Sequence, residues 1–253
     1  MNLTISAAEY NAVLFDLDGV LTPTAQIHAA CWKRLFDNFL KQRAKETGIS
    51  FRPFEIERDY PPYVDGKPRY EGVKSFLASR NIYLPDEQEA SSSAEMAGEI
   101  TVQKLGDRKD RYFEEILDAE GIEAYRGAVA LVQHLRSQGV KTAVVSSSRN
   151  CKKVLKAASI TSLFDYIMDG SLAEQLHLAG KPEPDTFLKA AEQLGASADR
   201  SVVVEDAIAG VQAGRKGNFG LVIGVIHGEN ATSLKENGAD IVVRDLSELL
   251  PQD

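Results

Sequence analysis

Cysteine is scarce in this chain: Cys31 and Cys151 are the 2 found in 253 residues, too few for a disulfide framework, and neither stands in a metal-type Cys pair. Both read as packing residues. Basic residues are the minority, with 29 Lys and Arg against 37 Asp and Glu and a formal net charge of −8. That balance excludes a generic binder of nucleic acid or of anionic membranes, so any selectivity for phosphate must be local. No apolar run approaches the roughly 18 residues of a membrane span, and residues 1–10 have neither a basic start nor an apolar signal core. The expectation is a cytoplasmic monomer with no membrane or nucleic-acid partner. Internal repeats, low-complexity tracts and a glycine-rich nucleotide loop are also missing. What remains is ordinary for a globular protein, 43% hydrophobic and 26% charged, and long enough for one sizeable core with a smaller inserted module.

The first β-branched and aromatic run, Ala12 to Phe15, is followed from Thr24 to about Lys45 by apolar residues at helical spacing, among them Ile27, Trp32, Leu35, Phe36 and Phe39. Between about Gly48 and Ala119 helical patterns continue, broken by Pro53, by Pro61-Pro62 and by the turn Asp65-Gly66-Lys67-Pro68. Ser91-Ser92-Ser93 reads as a cap or local loop. From Gly127 onward helical patterns alternate with short strand-like runs at Val140 to Val145, Ser201 to Val204, Leu221 to Val225 and Ile241 to Val243, which predicts a parallel sheet. The division expected is an α/β core formed by residues 1–25 and 120–253, interrupted by a helical domain over 26–119.

Directly after Phe15 comes Asp16-Leu17-Asp18-Gly19-Val20. At the carboxyl end of a strand the turn at Gly19 lets Asp16 and Asp18 approach one point, where one carboxylate can attack phosphorus while the other handles a proton. The same residues also suit a solvated turn or a calcium loop. The calcium reading fails, because Val20, Leu21, Thr22, Pro23 and Thr24 supply neither a third carboxylate nor a closing glutamate.

Three other places carry the groups that phosphoryl transfer requires, each read as lying just past an apolar run. Ser146 follows Thr142-Ala143-Val144-Val145 and precedes Ser147, Ser148, Arg149 and Asn150, whose donors could hold phosphate oxygens; the plain alternative is a serine-rich helix cap. Lys181, in Gly180-Lys181-Pro182-Glu183-Pro184-Asp185, can offset charge on a transferring phosphoryl group, or be an ordinary turn lysine. Glu205-Asp206 follows Val202-Val203-Val204, and two acids at a buried strand end call for a cation. Magnesium suits hard oxygen ligands, whereas Asp206 could instead cap a helix.

In this order and context these residues resemble the four motifs of the haloacid dehalogenase superfamily. The stretches from Phe15 to His28, from Val145 to Asn150 and from Gly180 to Asp185 are further similar to its β-phosphoglucomutase branch. The resemblance implies a Rossmann-like parallel sheet with an inserted helical cap, Mg2+ dependence, and interconversion of β-glucose 1-phosphate and glucose 6-phosphate primed by glucose 1,6-bisphosphate. It implies Asp16 as nucleophile and metal ligand, and Asp18 as general acid/base that also lends the metal a carbonyl. Ser146 and Lys181 would hold and shield the phosphoryl group, with Glu205 and Asp206 on the cation. Thr24, His28, Lys109 and the Ser148-Arg149-Asn150 segment would meet a small-molecule sugar phosphate. Taken alone, His28 is a helix histidine and Lys109 part of the solvated charge run Asp107-Arg108-Lys109-Asp110-Arg111.

One departure stands out. The pattern places a lysine before the cap's Gly-Val and an arginine soon after it, to grip the phosphate that is not transferred. Here Glu71 precedes Gly72-Val73, and the arginine position reads as Ser75. Lys67, Arg69, Lys74 or Arg80 must then supply the charge, with Arg69 first and Lys74 second. The alternatives are a phosphatase that passes the phosphoryl group to water, and a non-catalytic cation-binding module, against which intact Asp16 and Asp18 argue.

Overall fold

The computed structural model describes residues 5–86, 100–227 and 231–251; Ser91-Ser92-Ser93 lies outside them. The chain divides into two compact units, one formed by Met1–Ala25 with Gly121–Asp253 and the other by Gln26–Glu120.

The first unit is built on a parallel sheet of β1 (Ala12–Phe15), β2 (Lys141–Val145), β3 (Tyr166–Met168), β4 (Ser201–Glu205), β5 (Leu221–Val225) and β6 (Ile241–Val243), in the order β3-β2-β1-β4-β5-β6. Central strands β1 and β4 are buried along their whole length, which is why they read as unbroken apolar runs. Helices α5 (Arg126–Ser137), α6 (Cys151–Ala157), α7 (Gly170–Gln175), α8 (Asp185–Gln193), α9 (Ile208–Lys216) and α10 (Ala231–Glu236) connect the strands. Leu14, Ala143, Val145, Val203 and Val222 form one core with Phe187 and Val211 from α8 and α9. From β1 the chain first builds outward through β2 and β3, then returns to place β4 on the other flank of β1. In sheets with such a reversal of strand order the usual place for a ligand is at the carboxyl ends of the strands beside it, here β2, β1 and β4.

The second unit contains most of α1 (Thr24–Thr47), then α2 (Ile56–Tyr63), α3 (Arg69–Ser79) and α4 (Val102–Glu120). Trp32, Leu35, Phe36 and Phe39, at helical spacing on α1, pack with Phe54, Phe76 and Leu105 in a separate core. No described helix is long and apolar enough to cross a membrane.

Three expectations need correction. Strand β3 was not anticipated, because three residues at a sheet edge, two partly exposed and one buried, give too short a pattern. Pro61 and Pro62 lie inside α2 instead of interrupting it, and the helix ends one residue later. Lys181 does not follow a strand: it sits in the turn between α7 and α8, well past β3.

Candidate active site

The loop after β1 is tied together by its own hydrogen bonds. Gly19 N–H donates to the Thr22 carbonyl at 2.7 Å, while Leu21 and Thr22 N–H both donate to the Leu17 carbonyl at 3.0 and 3.1 Å. Gly19 adopts φ +87°, and a β carbon there would overlap Asp206 Oδ2, so only glycine permits both the turn and the approach of that carboxylate. The Asp18 N–H donates to Asp16 Oδ2 at 2.8 Å and the Thr24 hydroxyl donates to Asp18 Oδ1, with Thr22 and Thr24 hydroxyls 2.8 Å apart. Asp16 and Asp18 are thus oriented by different donors of one loop.

Lys181 is buried, with Nζ 2.5 Å from Asp16 Oδ1, 2.5 Å from Glu205 Oε1 and 3.0 Å from the Val145 carbonyl. One ammonium therefore joins the ends of β1, β2 and β4. Burial alone would lower its pKa, but the Asp16 and Glu205 carboxylates override that and hold it above the ordinary lysine value. Burial raises the Asp16 carboxyl well above its usual range; Lys181 opposes this, while the charges of Glu205 and Asp18 add to it. More acid than base is therefore concentrated here than one lysine neutralises.

Asp16, Glu205 and Asp206 each present an oxygen within 4.8 Å of the others, a spacing that a hard divalent cation can bridge. Glu205 Oε1 is buried beside Lys181 Nζ, an ammonium that it shares with Asp16. Three carboxylates around one ammonium leave an excess of negative charge that fits such an ion. Glu205 Oε2 accepts the N–H groups of Asp206 and Ala207, so Glu205, not Asp206, satisfies the approach to α9. Gly210 leaves room for this carboxylate, since a β carbon would overlap it.

Ser146 is buried after β2, its Oγ accepting the Ser148 N–H at 3.1 Å, and Ser148 Oγ accepts the Asn150 N–H at the same distance. Asn150 is buried at the start of α6 and makes no side-chain cap. Arg149 pairs with Glu174 at 2.5 Å. In the helical unit, Lys109 Nζ and His28 Nδ1 form a short buried hydrogen bond, and the His28 ring stacks on Phe113 at 4.1 Å between centroids. Lys109 is thus no member of a solvated face.

The basic residues in and beside α3 have different partners. Arg69 pairs with Asp110 at 2.9 Å and Asp107 at 3.4 Å, Lys74 with Asp86 at 2.9 Å, and Arg80 with Asp59 at 2.8 Å. Lys67 Nζ instead bonds two neutral oxygens, Ser75 Oγ and the Pro62 carbonyl, each at 2.9 Å. Its burial lowers its pKa.

Sequence reasoning missed Thr22, which helps to hold Thr24 beside Asp18, and His227, whose Nε2 lies 2.6 Å from the Gly19 carbonyl oxygen. His227 carried the same signal as the residues that were found: a polar group just beyond a strand, here β5.

A family model described as a haloacid dehalogenase-like hydrolase matches residues 10–218. The chain is 44% identical over 242 residues to a β-phosphoglucomutase of Mycobacterium tuberculosis, covering 94% of this chain and 91% of that one. Its fold is similar to the crystal structure of β-phosphoglucomutase from Clostridium difficile, with a TM-score of 0.71, 26% identity and coverage of 95% and 93% of the two chains. A hydrolase from Pseudomonas syringae superposes with a TM-score of 0.73 at 25% identity over 94% and 95%. The chain belongs to the haloacid dehalogenase-like hydrolase family, in its β-phosphoglucomutase-like branch.

Proposed function

We propose that this protein is a Mg2+-dependent sugar-phosphate phosphotransferase acting through an aspartyl-phosphate, and that its reaction is the interconversion of β-glucose 1-phosphate and glucose 6-phosphate. The observation that carries this reading is the placement of the Lys181 ammonium on Asp16 Oδ1 while the other Asp16 oxygen accepts the Asp18 N–H. A carboxylate so held is aimed, and its repulsion of an incoming phosphate dianion is reduced.

In the first step an Asp16 carboxylate oxygen forms a bond to phosphorus as the bond from phosphorus to the donor's oxygen breaks, and the proton of a neutral Asp18 carboxyl passes to that leaving oxygen. In the second, a sugar hydroxyl attacks the phosphorus of the aspartyl-phosphate, its proton returns to Asp18, and the Asp16 carboxylate is released. Thr24, donating to Asp18 Oδ1, keeps this carboxyl beside the reacting atoms. Ser146 and the amides after Asp16 hold the phosphoryl oxygens between steps. Asp16, Glu205, Asp206 and the Asp18 carbonyl would hold Mg2+, which supplies charge neutralisation for the transferring group when bound. Glucose 1,6-bisphosphate is the proposed primer. His28, Lys109, Ser148, Arg149 and Asn150 are carried as substrate-binding residues.

For the phosphate that is not transferred, we place Lys67 ahead of Arg69 and Lys74. Its bonds go to neutral oxygens, one of them on Ser75, the position where the resemblance to the mutase pattern implies an arginine, whereas Arg69 and Lys74 are engaged by carboxylates. The same substitution favours a second reading, hydrolysis of a small sugar phosphate, should one lysine grip the second phosphate too weakly for a mutase cycle. Enzyme, Mg2+, β-glucose 1-phosphate and a trace of glucose 1,6-bisphosphate decide between them: glucose 6-phosphate supports the mutase, and free phosphate without it supports the phosphatase.

A further inference from the structure

We propose that His227 is a positioning residue that fixes the Gly19 peptide and, through it, the direction of Asp18; the proposal rests on the roles given above to Asp16 and Asp18. Strand β4 lies between β1 and β5, so His227, just past β5, reaches over the end of β4 to the loop after β1. Its Nε2 lies 2.6 Å from the Gly19 carbonyl oxygen and 3.9 Å from Asp206 Oδ2. A carbonyl oxygen only accepts, so Nε2 carries a proton.

Gly19 is where this loop is weakest, because glycine has the widest backbone freedom and the site cannot accept a β carbon there. Two contacts remove that freedom. Thr22 holds the Gly19 N–H, and with it the Asp18–Gly19 peptide that bears the Asp18 carbonyl; His227 holds the next peptide by its oxygen. The imidazole is itself braced by the loop it braces: Tyr125 stacks against it with centroids 6.2 Å apart and planes 26° from parallel, and the Tyr125 N–H donates to the Leu21 carbonyl at 2.9 Å. The His227 side chain is 43% exposed, so its loss removes little packing. A role in aiming the loop is thereby separable from a role in folding.

The test compares His227→Ala with His227→Gln in the full chain, the glutamine amide nitrogen standing where Nε2 stood. Measured are Mg2+ affinity by calorimetry, kcat and KM for p-nitrophenyl phosphate, and melting temperature. His227→Ala is expected to lower kcat about tenfold and weaken Mg2+ binding about fivefold, with KM and melting temperature unchanged. His227→Gln should recover most of both losses. Wild-type kcat and Mg2+ affinity in His227→Ala, or equal impairment in the two variants, would overturn the proposal. If the wild type turns over no phosphate ester, it is the proposed function that fails, and the Mg2+ titrations of the variants decide His227 alone.

Discussion

Lys181 and Asp16 are 165 positions apart in the chain, yet the lysine Nζ lies 2.5 Å from Asp16 Oδ1 and equally close to Glu205 Oε1. One ammonium bridges two acids from neighbouring strands. Replacing Lys181 with Met should lower kcat for p-nitrophenyl phosphate by on the order of 10²–10³, since the charge facing the phosphoryl group is lost. Unfolding should also become easier, because two buried carboxylates lose their counter-charge. Steady-state rates and denaturant titration read both effects.

Asp16→Asn removes the nucleophile but retains the shape and the acceptor for Asp18 N–H. Turnover should fall to background, and the far-UV circular dichroism should match the wild type. Labelled phosphate from a sugar phosphate should be trapped on the wild type and not on this variant. Residual turnover near the wild-type level would remove Asp16 from the proposed role.

Lys67 and Arg69 should separate binding from structure. Lys67→Ala is expected to raise KM for the sugar phosphate about tenfold while leaving p-nitrophenyl phosphate hydrolysis almost unchanged, because the small ester has no second group to grip. Arg69→Ala should instead cost stability through Asp110 and Asp107 and alter KM by less than about twofold. The reverse pattern would return the phosphate contact to Arg69.

Asp59 gives a pH prediction. Burial favours its neutral form, but hydrogen bonds from Arg58 and the Glu55 N–H and the charge of Arg80 prevail and hold its pKa below the ordinary value of 3.8. A depressed folded pKa contributes stability that is present above 3.8 and lost as pH falls through the lower folded value. Arg58 is 59% exposed and its share is screened by solvent, so the sheltered pair with Arg80 carries the effect, on the order of 1–3 kcal/mol for a charge-assisted hydrogen bond. Asp59→Asn should therefore be less stable than wild type in urea at pH 7 by about this amount, and the difference should shrink progressively below pH 3.8. A constant difference from neutral pH to strong acid would count against the ion pairs.

Several elements were legible in the chain because each depends on local pattern. The β-branched runs that became β1, β2, β4, β5 and β6 are buried strands, and the spacing of Trp32, Leu35, Phe36 and Phe39 gives the apolar stripe of α1. Strand β3 was not legible: three residues at an edge, two of them partly exposed and only Met168 fully buried, carry no periodic signal. Nor did pattern warn that Lys109 is buried, since a run of five charged residues looks alike whether a helix faces water or a histidine.

By itself the sequence determined which chemical groups this protein brings to bear, two acids before a glycine, a serine, a lysine and two further acids, because residue type and strand-end context are local properties. Which of them meet was decided only in three dimensions. The reversal of strand order around β1 brings Lys181 between Asp16 and Glu205 and carries His227 across β4 to Gly19, while helix packing within the second unit gives Arg69 carboxylate partners and leaves Lys67 on neutral oxygens. Charge pairing depends on distance through space, and the distance along the chain does not encode it.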